Sequence, residues 1–412
     1  MISKKCKIKI KNKYNMILYL LIAFFLISIF IMGYIRVKYG FWAIQPVFHV
    51  YNLFYMIWPP GIINHELPEK NKYTNFKNIE TIVYSELSDL KINKFVNFVK
   101  IHYLQNKDNV YSPKKENILP YFNGHNTKSF FSFYTEDSVL SNLKKGTIIE
   151  DKKIIGIITG RPIHIIINNS KNDIKFDAYY IDYLCVDKNY RKKGIAPQII
   201  QTHYYNQSHI NKNITVSLFK REDELTGIVP LCVYSTYGFH VKKWTKPIDL
   251  HSMYTFLEIT EQNFHFLLDF IKINTKRFDI VIHSEISNII ELIKTKNIFV
   301  YVILRNDKII CAYFYRKSCI FIEKGLEVLS CFASINNCES DDIFIHGFKI
   351  SFWKIAEKNN FGFSAIESIS NNNIIINNLI LKTTPLLISP TAYFFYNFAY
   401  STFNPEKVLI IN

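Results

Sequence analysis

The sequence has no low-complexity linker, no cysteine pair and no metal-ligand pattern. Its seven cysteines form no CxxC motif and no Cys/His spacing typical of a zinc site, and its twelve histidines are scattered. We therefore expect no bound metal, and we interpret the odd set of cysteines as reduced thiols buried in cores. Charged residues are also scarce, at 20% against 49% hydrophobic residues. This composition excludes a disordered chain, and 412 residues suffice for two domain-sized cores.

Acidic residues are fewer than basic ones, and the formal net charge is +16. Such an excess is typical of proteins that bind nucleic acid, an anionic membrane surface or an anionic cofactor. Because the excess is spread through a chain rich in Lys, Asn and Ile, we interpret it mainly as compositional bias and expect no nucleic-acid partner. The cations concentrated at Arg191–Lys193 are the exception.

The most informative segment is residues 179–200, YYIDYLCVDKNYRKKGIAPQII. Its first eight residues are aromatic and β-branched enough for a buried strand, and polar residues then end the strand. Gly194 permits a sharp turn, and Pro197 suits the first turn of a helix. A helix start attracts anions, and Arg191–Lys193 add full charges beside it. The pattern indicates a phosphorylated ligand, with an ordinary strand-to-helix turn and solvated lysines as the alternative.

Three motifs, in the right order along the chain, resemble the N-myristoyltransferase family of the GNAT acyltransferase superfamily. R-x-x-G-x-A at Arg191–Ala196 resembles the acyl-CoA-binding motif of the superfamily, and the longer string IDYLCVDKNYRKKGIAP resembles the narrower family. YGFWAIQPV at Tyr39–Val47 resembles the family's Phe-Trp-x-x-Gln-Pro-Val signature, which lies against CoA. The tail at Tyr393–Asn412 resembles the family's C-terminus. The resemblance runs from about residue 39 to the end.

The resemblance implies an α/β (α+β) fold of two tandem GNAT-like domains with a pseudo-twofold relation, preceded here by an N-terminal transmembrane helix. We expect a basic tail at residues 1–15, an anchor at residues 16–35, an acyl-CoA-binding domain at residues 36–245 and a peptide-binding domain at residues 246–412. Apolar residues at helical spacing predict a helix within residues 79–105, and residues 299–314 are strand-like. We expect a monomer.

For the chemistry, the resemblance implies myristoyl-CoA as co-substrate and no metal. Its contacts would be Tyr39, Phe41, Trp42, Leu184, Cys185, Val186, Arg191, Lys192, Lys193, Gly194, Ile195, Ala196 and Pro197. The backbone N–H groups of Tyr183 and Leu184 would form the oxyanion hole, where a β-bulge would free them from the sheet. The alternative is that Tyr183 and Leu184 are plain core strand. The thiol of Cys185 has no implied catalytic role, because no activating histidine neighbours it.

The resemblance also implies that the C-terminal α-carboxylate, here that of Asn412, deprotonates the N-terminal glycine amine of a peptide or protein acceptor. The tail is one residue shorter after Lys407 than the family pattern, and a tail that merely completes a strand is the alternative. Thr226, Gly227 and Glu367 would contact the peptide, with Glu367 facing basic substrate residues. The match is weakest there, so we expect peptide specificity to differ or peptide binding to be lost.

Residues 16–35 are uncharged and almost wholly apolar, and about 20 such residues span a bilayer. No small-residue cleavage site follows, so we predict an uncleaved single-pass anchor. The lysines before residue 16 predict that the N-terminus is cytosolic, which would place the domain away from the acyl-CoA pool. We nevertheless expect the catalytic domain on the cytosolic side, where free thiols persist. One alternative is that residues 41–63 return through the membrane as the second arm of a hairpin.

Three functions remain open from the sequence. The first is a membrane-anchored N-myristoyltransferase acting on N-terminal glycine. The second is a GNAT-type acyltransferase with another acyl chain or another amine acceptor. The third is a non-catalytic membrane protein that keeps the fold as an acyl-CoA-binding module.

Overall fold

The computed structural model describes residues 2–104, 109–142, 147–169, 172–222, 227–241, 244–322 and 325–412, with the backbone alone for residues 2–14 and 139–150. The helices are α1 Ile2–Lys38, α2 Leu53–Ile57, α3 Asp89–His102, α4 Lys115–Ile118, α5 Ile195–Ile210, α6 Phe264–Asn274, α7 Ile286–Lys294, α8 Asp341–Lys358 and α9 Asn372–Ile380. The strands are β1 Gly61–Ile62, β2 Ile79–Val83, β3 Val110–Tyr111, β4 Phe130–Asn142, β5 Thr147–Ile167, β6 Ile174–Val186, β7 Ser217–Glu222, β8 Cys232–His240, β9 Tyr254–Ile259, β10 Ile280–His283, β11 Ile298–Arg305, β12 Lys308–Ile322, β13 Leu326–Asn336, β14 Phe361–Glu367, β15 Leu387–Tyr396, β16 Phe398–Ala399 and β17 Val408–Ile411.

A single continuous sheet forms the centre of the fold, with strand order β17-β10-β5-β6-β7-β15-β8-β14-β13-β12-β11-β9, and β4 and β2 continue from β5. Its two halves repeat one plan. In the first half β2, β4, β5 and β6 form antiparallel neighbours, and β6 is parallel to β7. In the second half β9, β11, β12 and β13 do the same, and β13 is parallel to β14. The prediction of two tandem GNAT-like units is confirmed.

Each half contributes one strand to the other. Strand β8, from the first half, pairs with β14, whereas β15, from the second half, pairs with β7. The two exchanged strands also pair with each other at the centre. Because parallel neighbours need a crossover, α5 connects β6 to β7 and α8 connects β13 to β14. The predicted domain boundary near residue 245 stays a prediction, since the sheet runs across it.

Helix α8 shows how the crossovers are held. Its buried residues Phe344, Phe348, Phe352 and Ile355 recur every three or four positions and so line one face of the helix. They pack on the strands of the second half in one apolar cluster. The apolar period in the sequence therefore determines which face of the helix meets the sheet.

The long apolar helix is present where the sequence predicts an anchor. Within α1, residues Asn15–Lys38 form a segment of 24 residues that contains an 18-residue window with mean hydropathy 2.7. None of its 18-residue apolar window is buried against the rest of the protein. By length and composition this helix can cross a membrane.

Two predicted elements differ from the structure. Residues 79–83 form the strand β2, because they pair with β4, and the helix α3 begins only at Asp89 after the capping side chain of Ser88. The strand-like residues 299–314 are two strands, β11 and β12. Asn306 and Asp307 make the turn between them with φ of 50° and 59°, a conformation that these residue types tolerate.

Residues 41–63 do not form a return arm through the membrane. The segment contains the five-residue helix α2 and the two-residue strand β1, which pairs with β16. Val47 and Phe48 within it are buried at 2% and 4% exposure. The segment is packed on the domain, so the hairpin alternative is wrong.

Candidate active site

A cavity of about 880 Å³ lies where three of the predicted segments meet. Its lining includes the N-terminal aromatic segment, the end of β6 and the start of α5, represented by Tyr39, Phe41, Trp42, Tyr183, Leu184, Ala196 and Pro197. These segments are far apart in sequence, and the sheet brings them together. The cavity is therefore the candidate site of acyl transfer.

The end of β6 carries the predicted bulge. Asp182 pairs with Thr159 and Cys185 pairs with Ile157, so that Tyr183 and Leu184 together face one residue of β5. Tyr183 has φ of 51°, a left-handed conformation that costs a non-glycine residue about 1 kcal/mol. Burial of its ring, which is 7% exposed, stabilises this conformation. The alternative of a plain core strand is wrong, because the strand is irregular at this position.

One of the two backbone N–H groups predicted for the oxyanion hole already donates a hydrogen bond. The backbone N–H of Tyr183 donates to Oδ1 of Asp182 at 2.8 Å, and the hydroxyl of Tyr103 donates to the same oxygen at 3.3 Å. A ligand oxygen that takes this N–H must therefore displace the Asp182 carboxylate. The backbone of Leu184 is beside it, and Leu184 lines the cavity with 39% of its surface exposed.

Cys185 follows the bulge but does not line the cavity. Burial raises the pKa of its thiol to about 12, so that the thiol is protonated at neutral pH. A protonated thiol is a poor nucleophile. The side chain acts as core packing beside Tyr183, and neither it nor Val186 faces the cavity as the cofactor prediction implied.

The turn after β6 has the geometry of an anion cradle. Lys192 and Gly194 both have positive φ, of 64° and 71°, on either side of Lys193. Gly194 is the N-cap of α5 and has no side chain to cap the first N–H groups of the helix, which begins at Ile195. Pro197 is the third residue of the helix, within its first turn as predicted. Backbone N–H groups in such a turn bind phosphate oxygens well.

Arg191 has a different role from the one expected. Its Nε donates to the carbonyl oxygen of Val186 at 3.2 Å, and its Nη2 donates to that of His102 at 3.1 Å. The guanidinium thus ties the turn to β6 and to the end of α3. Lys192 and Lys193 are exposed, as Arg191 is, and the ammonium of Lys193 lies 4.6 Å from the ring centre of Tyr190.

The N-terminal aromatic segment is held against the first half of the sheet. The indole of Trp42 stacks on Phe219 of β7 at 5.7 Å, and Phe41 packs edge-on against Tyr73 at 5.1 Å. The side chain of Gln45 accepts a hydrogen bond from Tyr396 of β15. These contacts place Tyr39, Phe41 and Trp42 along one wall of the cavity, as the resemblance implies.

The chain terminus is buried but does not line the cavity. Asn412 is 1% exposed and follows β17, which runs parallel to β10. The carbonyl of Ile411 accepts from the N–H of Ser284 at 3.0 Å, and the hydroxyl of Ser284 accepts from Nη1 of Arg161 at 3.0 Å. Arg161 does line the cavity. The terminus therefore lies one residue behind the cavity wall, and the tail also completes a strand.

The predicted peptide contacts are placed less favourably. Thr226 lies outside the described residues. Gly227 is not in the lining of the cavity and instead lies against Ile35 of α1, where a Cβ would come within 3.1 Å of that side chain. Its carbonyl accepts from the N–H of Val50 at 3.0 Å. Gly227 thus lies against the N-terminal helix and outside the cavity lining.

Glu367 lines the cavity but is already paired. Its carboxylate contacts Arg316 at 2.7 Å and Lys220 at 3.3 Å, and it accepts from the hydroxyl of Tyr234 at 2.6 Å. Burial acts to raise the pKa of Glu367, but Lys220 and Arg316 outweigh it and lower the pKa to about 2. The expectation that Glu367 faces basic substrate residues is therefore corrected, since two cations of the protein occupy it.

Sequence reasoning missed most charged residues of the cavity lining, among them Asp182, Lys220, Arg316 and Arg161. Arg161 was the easiest to find, because it lies in the apolar run IIGIITGRPIHIII, where a cation is unusual. The others depend on which face of a strand turns toward the cavity. Among the described residues, no cluster of three or more His, Cys, Asp or Glu side chains could hold a metal ion.

Comparison with known proteins defines the class. Residues 68–232 match the family model described as myristoyl-CoA:protein N-myristoyltransferase, N-terminal domain. A crystal structure of Saccharomyces cerevisiae N-myristoyltransferase with bound myristoyl-CoA is similar, with a TM-score of 0.66, 12% identity and coverage of 89% of this chain and 94% of that chain. A second, with myristoyl-CoA and inhibitors, has a TM-score of 0.68, 12% identity and coverage of 92% and 96%. No match is found among curated protein sequences.

The class is that of acyltransferases with the N-myristoyltransferase fold. Within it, the match at residues 68–232 and the shared fold confirm the resemblance to the N-myristoyltransferases. In the structure, the bulge of β6, the start of α5 and the aromatic wall lie around one cavity.

Proposed function

We propose that this protein is a membrane-anchored enzyme that transfers a myristoyl group from CoA to the N-terminal glycine of peptides or proteins. The observation that carries the proposal is the meeting of three segments in one cavity: the aromatic wall at Tyr39–Trp42, the bulge at Tyr183–Leu184 and the start of α5. The family match spans the last two. Acyl-CoA is the co-substrate that this arrangement suits.

Each segment has a distinct task in the proposed reaction. The turn at Lys192–Gly194 and the first turn of α5 hold the pyrophosphate of CoA, with the aromatic wall beside it. The thioester carbonyl oxygen takes the backbone N–H groups of Tyr183 and Leu184, which stabilise the negative charge that develops there. Taking the first N–H displaces the Asp182 carboxylate, which keeps the hydroxyl of Tyr103 as a donor.

The bond changes are those of amide formation from a thioester. The glycine ammonium first gives a proton to the base, which we propose is the α-carboxylate of Asn412. The free amine attacks the carbonyl carbon, the C–N bond forms, and the C–S bond breaks as the tetrahedral intermediate collapses. The attacking nitrogen loses one further proton as the amide forms, and the leaving CoA thiolate takes it up. Because Asn412 lies behind Ser284, the proton moves across this wall, by way of Ser284 or a bound water.

The proposed function is tested with the full chain in detergent micelles. It is incubated with labelled myristoyl-CoA and a panel of peptides that begin with glycine, alongside matched peptides whose N-terminus is acetylated. Label on the free glycine peptides alone supports glycine acylation. Turnover only with lysine side chains or small amines would instead identify another GNAT-type acyltransferase, and tight binding of myristoyl-CoA without any turnover would identify a binding module.

Replacing Lys192 and Lys193 together with alanine should raise the Kd for myristoyl-CoA about threefold to tenfold. Both are exposed cations of the anion cradle, and surface charges contribute modestly to binding. The difference should shrink at high salt, because salt screens exposed charges. Isothermal titration at two salt concentrations measures it. The control is Lys212→Ala, which lies beyond the far end of α5. Equal Kd values for the wild type and the double variant would show that the turn at Lys192–Gly194 does not bind the pyrophosphate of CoA.

The anchor is supported by two features near the N-terminus. The 24-residue span of α1 is exposed and apolar. Soon after it, α2 and the next residue expose further apolar side chains, namely Leu53 at 42%, Phe54 at 66%, Met56 at 49%, Ile57 at 65% and Trp58 at 62%. Apolar and aromatic side chains of this kind are stabilised at a membrane interface. We propose that α1 spans the membrane and that α2 lies at its surface.

Lysine substitutions at Leu21 and Phe25 should release the protein into the soluble fraction without loss of acyl transfer. Both side chains are exposed in α1, at 60% and 64%, so their replacement leaves the domain intact. A charge at the centre of a spanning helix costs about 2.5–3.5 kcal/mol on insertion scales. Carbonate extraction of membranes measures the change, with Leu21→Phe as the control. Retention of the lysine variant in the carbonate-resistant pellet would contradict the anchor.

We further propose that the catalytic domain is on the cytosolic side, where acyl-CoA is available. Protease protection in intact, right-side-out membrane vesicles tests the sidedness. A cytosolic domain is digested in such vesicles only after the membrane has been permeabilised.

A further inference from the structure

The lining of the cavity has an excess of positive charge. The basic residues in its lining are Lys38, Arg161, Lys220, Arg221, Arg316 and Lys317, and the acidic ones are Asp182, Glu222 and Glu367. Six cations against three carboxylates leave an excess of three positive charges in the lining. A concave surface with low-dielectric walls concentrates the field of such charges.

Three of these cations lie on strands that line the cavity together with Glu367, namely Arg161 on β5, Lys220 on β7 and Arg316 on β12, and we call them the cation cluster. Arg161 is 2% exposed as a residue, and the side chains of Lys220 and Arg316 are 23% and 20% exposed. Of these three cations, Lys220 and Arg316 form ion pairs with the Glu367 carboxylate. One carboxylate among three cations leaves the cluster with a net positive charge.

Arg161 is the cation without a countercharge. Its guanidinium lies 4.8 Å from the ring centre of Tyr180 and 5.4 Å from that of Tyr121, and Nη1 donates to the hydroxyl of Ser284 at 3.0 Å. No Asp or Glu carboxylate in the described part of the chain lies within 4.0 Å of it. A guanidinium has five N–H donors in a planar fork that suits a carboxylate. A desolvated cation of this kind binds an anion strongly when one enters the cavity.

The cluster lies a short distance from the proposed reacting atoms. Arg161 is opposite Tyr180 in the pairing of β5 with β6, three residues before Tyr183. Three residues of strand correspond to roughly 10 Å. An extended acceptor with its amine at the bulge would reach the cluster with a side chain a few residues from its N-terminus. The distance is too great for the carboxylate of free glycine itself.

We propose that the cation cluster binds an acidic side chain of the acceptor, between its second and fifth residues. This inference rests on the proposed acylation of N-terminal glycine and names the substrate class of that site. It reverses the expectation from the sequence, in which Glu367 selects basic acceptors. The cavity would instead reject lysine at these positions, because a further cation would meet Arg161 without a carboxylate to pair with it.

The test uses the full chain in detergent micelles with amidated heptapeptides that begin with glycine. Three sets carry glutamate, glutamine or lysine at one of positions two to five, on an otherwise neutral sequence. We expect kcat/KM for the best glutamate peptide to exceed that of its glutamine match by about tenfold and that of its lysine match by more, as for hydrogen bonds to a charged group. Free glycine is a further acceptor.

The outcomes separate the inference from the function on which it rests. Equal or better use of glutamine or lysine peptides overturns the inference and leaves glycine acylation standing. Use of free glycine in preference to every peptide also overturns it, because the anion would then be the acceptor's own α-carboxylate. Failure to acylate any glycine acceptor overturns the proposed function itself, and the inference with it.

The variant Arg161→Met tests whether the cation cluster causes the preference for glutamate peptides. The preference for glutamate over glutamine should fall at least fivefold, while Kd for myristoyl-CoA is unchanged. If both peptides lose activity equally, Arg161 supports the chain terminus through Ser284 rather than the acceptor, and the assignment is wrong. Arg305→Gln removes an exposed arginine that pairs with Glu339 at 3.7 Å and is the matched control. If the methionine variant does not fold, Arg161→Lys keeps the charge without the fork and should show an intermediate preference.

Discussion

Adding one alanine after Asn412 is expected to lower kcat for glycine acylation by about 10²- to 10⁴-fold, the usual contribution of a general base. The addition moves the terminal carboxylate by roughly 3.5 Å. The strand cannot slide back to compensate, because β17 pairs with β10 over four residues and its side chains are buried. Binding of myristoyl-CoA should not change, since Asn412 is not part of the cavity lining.

The control for this experiment is Asn412→Ala, which keeps the terminal carboxylate in place. The amide atoms of Asn412 are buried without a hydrogen-bond partner among the described residues, so their removal breaks no bond. This variant should retain most of its activity. Single-turnover rates and thermal unfolding of both variants separate a lost base from a damaged fold. An unchanged kcat in the extended chain would remove the terminal carboxylate from the mechanism.

Glu367→Gln is expected to lower the free energy of unfolding by about 3 kcal/mol. The variant leaves Arg316 and Lys220 buried without a countercharge, and breaking a buried pair from one side costs about 3–5 kcal/mol. We expect the lower end of this free-energy range because the side chains of the two cations are about one-fifth exposed. Urea denaturation in detergent micelles at pH 7 measures the loss. The control is Glu339→Gln, in which a surface pair with Arg305 is removed and no measurable change is expected.

The same residue predicts an acid-dependent loss of stability. The pKa of Glu367 is lowered from 4.5 to about 2 in the folded protein. A carboxyl whose pKa is lower in the folded state stabilises that state fully above the unfolded pKa, and the contribution disappears as the pH falls through the folded pKa. Stability should therefore fall between about pH 5 and pH 2 more steeply in wild type than in Glu367→Gln. Equal slopes for the two proteins would show that Glu367 is not a strongly paired carboxylate.

Much of the site could be predicted because it depends on neighbouring residues. The turn at Gly194 and the start of α5 both lie within residues 179–200. Strand propensity, a glycine and a proline in this order determine the local path of the backbone. The apolar span of α1 is equally local, because its length and composition alone define it.

The charge of the cavity could not be predicted in this way. Glu367 meets Arg316 across 51 positions and Lys220 across 147 positions of the sequence. Whether each side chain points into the cavity depends on strand register, since a shift of one residue turns a side chain to the other face of the sheet. The resemblance assigned Glu367 to basic substrates because the motif contains the acid but not its partners.

The sequence by itself determined the turn at Gly194, the start of α5 and the apolar helix before the domain. Only the tertiary structure decided the rest: the bulge in the pairing of β6 with β5, the exchange of β8 and β15 between the halves, the burial of Asn412 behind Ser284, and the presence of Arg161, Lys220 and Arg316 in one cavity lining. The physical reason is that turns, caps and apolar spans depend on residues adjacent in the chain. Strand pairing and burial depend on residues that become neighbours only when the sheet has formed.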